Sequence, residues 1–158
     1  MSKSFDSTRS LVEAARHVLG GLTRQQEILE SLRQLAESQG PLIDAGEHDS
    51  LLELVHRRQE LVESLGQMCS GMSDEMEQVR LGMESLNGDL REEISSRVST
   101  VQQLVNTIAA MDMDDARRLS EQQSGCRTRL DEMTSAATAR NTYRPVSSSQ
   151  SRFADAKG

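Results

Sequence analysis

Between Leu11 and Ala36 the apolar positions fall alternately four and three residues apart: Leu11, Ala15, Val18, Leu22, Leu29, Leu32 and Ala36, with Gln25 as the one polar member. That alternation keeps one stripe of a helix turned toward a partner and is the a/d repeat of a coiled coil. Ala14, Gly21, Ile28 and Leu35 add a third position every seven residues, which makes the stripe wide enough to face two neighbours. A second run takes Leu51, Val55, Arg58, Val62, Leu65, Cys69, Met72, Met76, Val79, Met83, Leu86 and Leu90. A third continues through Ile94, Val98, Val101, Val105, Ile108 and Met111. No two-residue alternation competes with these runs, so no strands are predicted. From Asp112 to Arg129 only Ala116, Leu119 and Cys126 keep to the expected face, before Leu130, Met133 and Ala137 resume it. A seam this sparse is marginal on its own.

Breaks divide the pattern. Gly40-Pro41 predicts the end of the first helix, because proline disfavours helical geometry in the residue before it and cannot donate its own amide. A polar link from Asp44 to Asp49 follows, with Asp49 as N-cap, Glu53 after it and Arg57-Arg58 a turn later. Ser70-Gly71 before Ser73-Asp74-Glu75 offers a cap and a new start, yet the heptad phase runs through it unbroken. Asn87-Gly88-Asp89 is the stronger break: Asn-Gly suits a left-handed turn, and Asp89 with Glu92 has capping-box spacing. The expected fold is all-α, an elongated antiparallel coiled-coil-like bundle of about three long helices near residues 8–39, 49–86 and 89–135. Residues 1–7 are expected to be a flexible N-terminus, 8–137 the bundle and 138–158 a disordered tail that orders on partner binding. A last helix of that extent is ~70 Å long, more than the first can cover, so its distal half should be under-packed.

Composition narrows the function. Only 35 % of the 158 residues are hydrophobic and mean hydropathy is −0.56, enough for a narrow seam rather than a thick core. Every aromatic lies in a terminal segment, at Phe5, Tyr143 and Phe153. Rings outside the periodic region have no core to enter and read as anchors for something else. The formal charge is −7, and since the stretch from Arg140 onward carries +3, the body carries −10. Nucleic acid and anionic lipid both require a dense cationic face, so neither is expected as a partner. No apolar stretch reaches the ~20 residues of a membrane span and MSKSFDSTRS lacks the apolar run of a secretory signal, so a cytoplasmic protein without membrane insertion is expected.

Chemistry is sparse. His48 and His56 are eight residues apart, not the i, i+4 spacing that sets two imidazoles on one metal, and Asp112, Asp114 and Asp115 lack the glycine and closing glutamate of a calcium loop. With no phosphate-binding glycine loop or nucleophile elbow, neither an enzyme nor a metal or other cofactor is expected. Cys69 and Cys126 sit on stripe positions and read as two small buried side chains rather than a disulfide. Met68, Met72, Met76 and Met83 lie at helical spacing. They either fill an aromatic-free seam or form an adaptable binding surface, and periodic placement does not separate the two.

Two segments resemble the flagellar export chaperone family FlgN. The first is LRQLAESQGPLIDAGEHDSLLELVHRRQELVESL, Leu32 to Leu65, a helix end, an acidic link and a helix with leucines around Arg57-Arg58-Gln59-Glu60-Leu61. The second is TYRPVSSSQSRFADAKG from Thr142, similar to the family's tyrosine, short polar stretch and closing basic-hydrophobic-Asp-basic pattern. Where the family carries paired asparagines, this chain has Glu121-Gln122-Gln123 and Cys126. The resemblance implies a chaperone for hook-filament junction proteins of the FlgK and FlgL type, holding their amphipathic terminal segment and presenting it to the type III export gate. On that basis Leu119, Leu130 and Met133 are candidate groove residues for a cargo helix, Tyr143 an anchor for cargo or gate, and Phe153 a further candidate. A coiled-coil scaffold or homo-oligomeric adaptor without cargo is the alternative.

Overall fold

A computed structural model of the chain describes the backbone of residues 2–142 and the side chains of residues 9–142. Four α-helices follow one another: α1 (Ser2–Ala45), α2 (His48–Gly71), α3 (Ser73–Gly82) and, after a 3-10 turn at Met83–Ser85, α4 (Gly88–Thr142). No strand occurs among the described residues. The chain divides into two compact units at Leu119 and Ser120.

In the first unit, contacts fix the helix directions. Ser10 meets Gln78, Gln25 meets Cys69 and Gln39 meets Arg58, so α1 runs antiparallel to α2 and α3. Gln26 pairs with Arg97 and Asp44 with Arg118, so α4 runs parallel to α1. Two apolar clusters hold these helices. One gathers Leu11, Ala15, Val18 and Leu22 with Val79, Leu86 and Ile94, and the other joins Leu29 and Leu32 to Leu104 and Ile108, with Leu61, Leu65 and Val101 packed alongside. The wide α1 stripe thus faces α2–α3 and α4 together, as its third apolar position predicts.

Helix ends differ from expectation in ways the local chemistry explains. Helix α1 runs four residues past Gly40-Pro41, to Ala45, with Pro41 inside it. The clash of a proline ring with the preceding residue involves that residue's Cβ, which Gly40 lacks, and the i−4 carbonyl deprived of its donor belongs to exposed Glu37. The helix ends instead at Gly46, the one described residue with positive φ (69°). Its N–H reaches the Ile43 carbonyl at 3.1 Å and that of Glu47 the Leu42 carbonyl at 3.0 Å, a Schellman closure. Helix α2 starts at His48 with Glu47 in the N-cap position and without a side-chain cap, so Asp49 lies in the first turn rather than capping it. Between α2 and α3 only Met72 leaves helical geometry; its N–H still reaches the Met68 and Cys69 carbonyls, and its carbonyl receives the Met76 N–H at 2.9 Å. The heptad phase therefore passes through a real break. At the next break Asn87, not Asp89, caps α4: its Oδ1 accepts the Leu90 N–H at 2.9 Å, and Gly88 is helical rather than left-handed.

The seams of the second and third runs are corrected by one position in the heptads from Leu51 to Met76 and from Ile94 to Val105, whereas Met83 and Leu90 pack against the core as the run predicts. Leu51, Arg58, Leu65, Met72, Val79 and Leu86 do face inward, but the alternate positions are Leu54, Leu61 and Met68, with Val55, Val62, Cys69 and Met76 exposed. On α4 the inward residues are Ile94, Val101, Leu104 and Ile108, with Val98 and Val105 exposed. Cys69 and Cys126 are free and exposed, not buried. Helix α4 extends to Thr142, past the start expected for a disordered tail, and α1 begins at Ser2 rather than at residue 8. Among the described residues no helix is long and apolar enough to cross a membrane.

Candidate partner-binding surfaces

The one-position shift of the seams leaves apolar side chains outside. Where α3 lies beside α4, a cleft of about 790 Å³ opens, with Met72, Val79 and Ile94 in its floor and Met76, Met83 and Val98 along its sides. Gln25, the polar member of the α1 stripe, lies buried beneath it and donates from Nε2 to the Cys69 Sγ at 3.4 Å. A polar group in a seam is tolerated when it is hydrogen-bonded, and here its partner is a thiol at the cleft's edge. Asp74 and Glu77 make one rim acidic, with Arg80 beside them. Glu77 binds Arg80 through both carboxylate oxygens, and this holds the Glu77 carboxyl below its ordinary range. The four methionines divide between the two sequence readings: Met72 is core, Met68 and Met83 are half-buried, and Met76 is exposed.

At the other end of the first unit a polar clamp ties three helices. Arg58, in a seam position of α2, donates to Gln39 Oε1 at 2.6 Å and to Asp112 Oδ2 at 2.8 Å. Arg118 donates to Asp44 at 2.5 Å and to Asp114 at 3.0 Å. Between them Asp115 is buried against the bare backbone of Gly40, where an added Cβ would lie 3.2 Å from its Oδ1. Its Oδ2 accepts no hydrogen bond. Desolvation therefore pushes the Asp115 carboxyl above its ordinary value, only partly countered by Arg118. Asp114, which accepts from Arg117 and Arg118, is held below its own. Asp112 and Asp115, two of the three aspartates weighed against a calcium loop, are half-buried and buried respectively. Among the described residues no group of three His, Cys, Asp or Glu is placed to hold a metal ion.

The candidate cargo residues fall in different places. Leu119 is exposed at the last position of the first unit. Leu130 and Met133 lie in the second unit, exposed, three residues apart, with Cys126 and Ala137 on the same face at a/d spacing. Every described side chain from Leu119 to Thr142 is exposed, as the sparse seam predicts. Tyr143 and Phe153 lie outside the described residues. Sequence reasoning missed the α3–α4 cleft as a surface because it placed Met76 and Val98 in the seam; the methionine spacing was the available signal.

A family model described as "FlgN protein" matches residues 14–150, from the α1 seam through the last described turn of α4 and beyond. No curated protein and no solved structure matches the chain. The chain, all-α in its described residues and matched by the family model over most of its length, belongs to the FlgN family, the flagellar type III export chaperones.

Proposed function

We propose that this chaperone binds the amphipathic terminal helix of hook-filament junction proteins of the FlgK and FlgL type and delivers them to the export gate on the cytoplasmic side. The observation that carries this is the state of α4 from Leu119 onward: five turns and more of helix keep apolar side chains at helical spacing with every described side chain exposed. An apolar stripe left open on a helix is what a helix-in-groove partner uses, anchoring at i, i+3, i+4 and i+7. Leu119, Leu130 and Met133 are the cargo-facing residues in this reading. Tyr143, just past Thr142, is the anchor for cargo or gate, with Phe153 the second aromatic of the same segment. The acidic body suits a soluble, basic or amphipathic partner.

Calorimetric titration against purified FlgK-type and FlgL-type proteins tests the reading. Wild type binds, and a Leu130→Asp/Met133→Asp variant weakens that binding at least tenfold, about 1.4 kcal/mol, with unchanged melting of the first unit. Tyr143→Ala costs about 2 kcal/mol if the ring touches cargo, as interface aromatics do; equal affinity assigns it to the gate instead. Absence of binding by wild type to either protein overturns the cargo assignment and favours the scaffold.

A further inference from the structure

We propose that the groove between the middle of α1 and the end of α2 docks an acidic amphipathic helix of a partner protein. It is a cleft of about 490 Å³, floored by Met68 and Met72 and bordered by Arg16, His17 and Arg24. Gly20 and Gly21 of α1 and Gly71, the last residue of α2, complete its lining. A Cβ on Gly20 or on Gly71 would meet nothing within 4 Å, so these two open onto free space, whereas the Met72 thioether already covers Gly21. Bare backbone on both walls lets a partner helix come closer than side chains ordinarily allow. The thioether floor adapts to whatever apolar side chain is lowered onto it.

Charge sets the chemistry of the occupant. Of the four arginines on α1, Arg9 pairs with Glu13, and Arg33 with Glu30 and Glu37. Arg16 and Arg24 are exposed and have no ion-pair or hydrogen-bond partner among the described residues. The turn between them explains this: the positions where a carboxylate would pair with either from inside the groove are Leu19, Gly20 and Gly21. His17 differs, since it faces Glu75 at 3.4 Å. Two uncompensated guanidinium groups thus flank an apolar floor in a chain of net charge −7. Eight residues apart on one helix, they stand about 12 Å from each other along its axis. A second helix laid along α1 spans the same distance with carboxylates at i and i+8, each able to take an arginine through two hydrogen bonds. Its residue at i+4 then falls over Gly20, above the methionines. Phosphate surfaces match less well. Two arginines neutralise few phosphates of a nucleic acid or lipid surface, and the acidic body around them repels both. A single phosphate would meet thioethers and glycine carbons, because the α1 amides there are spent within the helix. Every groove residue belongs to the first unit, and none to the stripe assigned to cargo.

Fluorescence anisotropy of a labelled, alanine-based helical peptide of about twenty residues, with Glu, Leu and Glu at i, i+4 and i+8, reads the outcome on the full chain. Wild type binds this peptide, rising salt weakens the complex, and the same peptide with lysines for the glutamates does not bind. Arg16→Gln/Arg24→Gln weakens binding at least tenfold. Gly20→Leu, which puts a side chain into the open groove, does the same without lowering the melting temperature. No binding of the acidic peptide, binding of the lysine peptide, or indifference to the arginine substitutions overturns the inference. So does arginine-dependent binding of phosphatidylglycerol vesicles or of an oligothymidylate in place of the peptide, which would give the groove to a phosphate surface. A wild-type dimer that the arginine substitutions convert to monomer would likewise overturn it, by giving the groove to a second copy.

Discussion

The Met72 side chain lies across the bare backbone of Gly21: a Cβ at Gly21 would fall 2.0 Å from the thioether sulfur and 2.5 Å from its methyl carbon. The same construction at neighbouring Gly20 meets nothing within 4 Å. Glycine here lets the broken joint between α2 and α3 press onto α1, and the adaptable thioether fills the space left.

Replacing each glycine by alanine separates these roles. Both substitutions gain the same helix propensity, about 1 kcal/mol. Gly20→Ala should therefore raise the melting temperature, while Gly21→Ala loses that gain and more by displacing a buried methionine. The expected gap between the two variants is about 1 to 3 kcal/mol, the usual cost of overpacking. Equal melting temperatures would show that Met72 swings into the adjoining cleft without loss.

Capping gives a second contrast. Asn87→Ala removes the oxygen that accepts the Leu90 N–H and should cost about 1 kcal/mol. Asp89→Ala removes only an acidic side chain from the first turn, a few tenths of a kcal/mol through the helix dipole. Denaturant unfolding of the two variants decides it; a larger loss at Asp89 would restore the capping-box reading.

Why these ends and seams were only partly legible is a matter of which forces leave a mark in sequence. The α1 seam was plain because its apolar residues face two helices at once, so Leu11, Ala15, Val18 and Leu22 have no polar competitors. On α2 both Leu54 and Val55, and both Leu61 and Val62, are apolar, and spacing alone does not say which of an adjacent pair turns inward. Pro41 misled because the clash it brings depends on the residue before it, and that residue is glycine. At the candidate site, Leu130 and Met133 were legible as apolar positions in a sparse seam. The α3–α4 cleft was not, since it depends on the joint at Met72 and on the one-position shift of Met76 and Val98.

The seam shift predicts opposite outcomes at adjacent residues. Leu54 is 7 % exposed and Val55 48 %. Leu54→Asp, like Leu61→Asp in the second cluster, places an unpaired charge in packed surroundings and should cost about 3 kcal/mol or more. Val55→Asp and Val62→Asp should stay within about 0.5 kcal/mol, as surface substitutions do. Melting followed by circular dichroism checks all four, and unfolding by Val62→Asp with tolerance of Leu61→Asp would reverse the assignment.

Asp115 gives the pH dependence. Its carboxyl is raised by burial, so the folded state holds its proton at pH values where the unfolded chain has released it. Stability then falls as pH rises from the ordinary carboxylate range through the raised value, because the folded state must give up a proton into a site that cannot solvate the charge. Asp114, held low by Arg117 and Arg118, acts in the opposite sense: its contribution is present above the ordinary range and lost as pH falls through its lowered value. Asp115→Asn keeps the shape, removes the buried charge and should raise the melting temperature at neutral pH while leaving it nearly unchanged in mild acid. The difference between variant and wild type should therefore grow with pH above the ordinary carboxylate range and then level off. A variant less stable than wild type at neutral pH would mean that the Arg118 and Arg58 charges outweigh desolvation, and that the clamp stores attraction at Asp115 rather than strain.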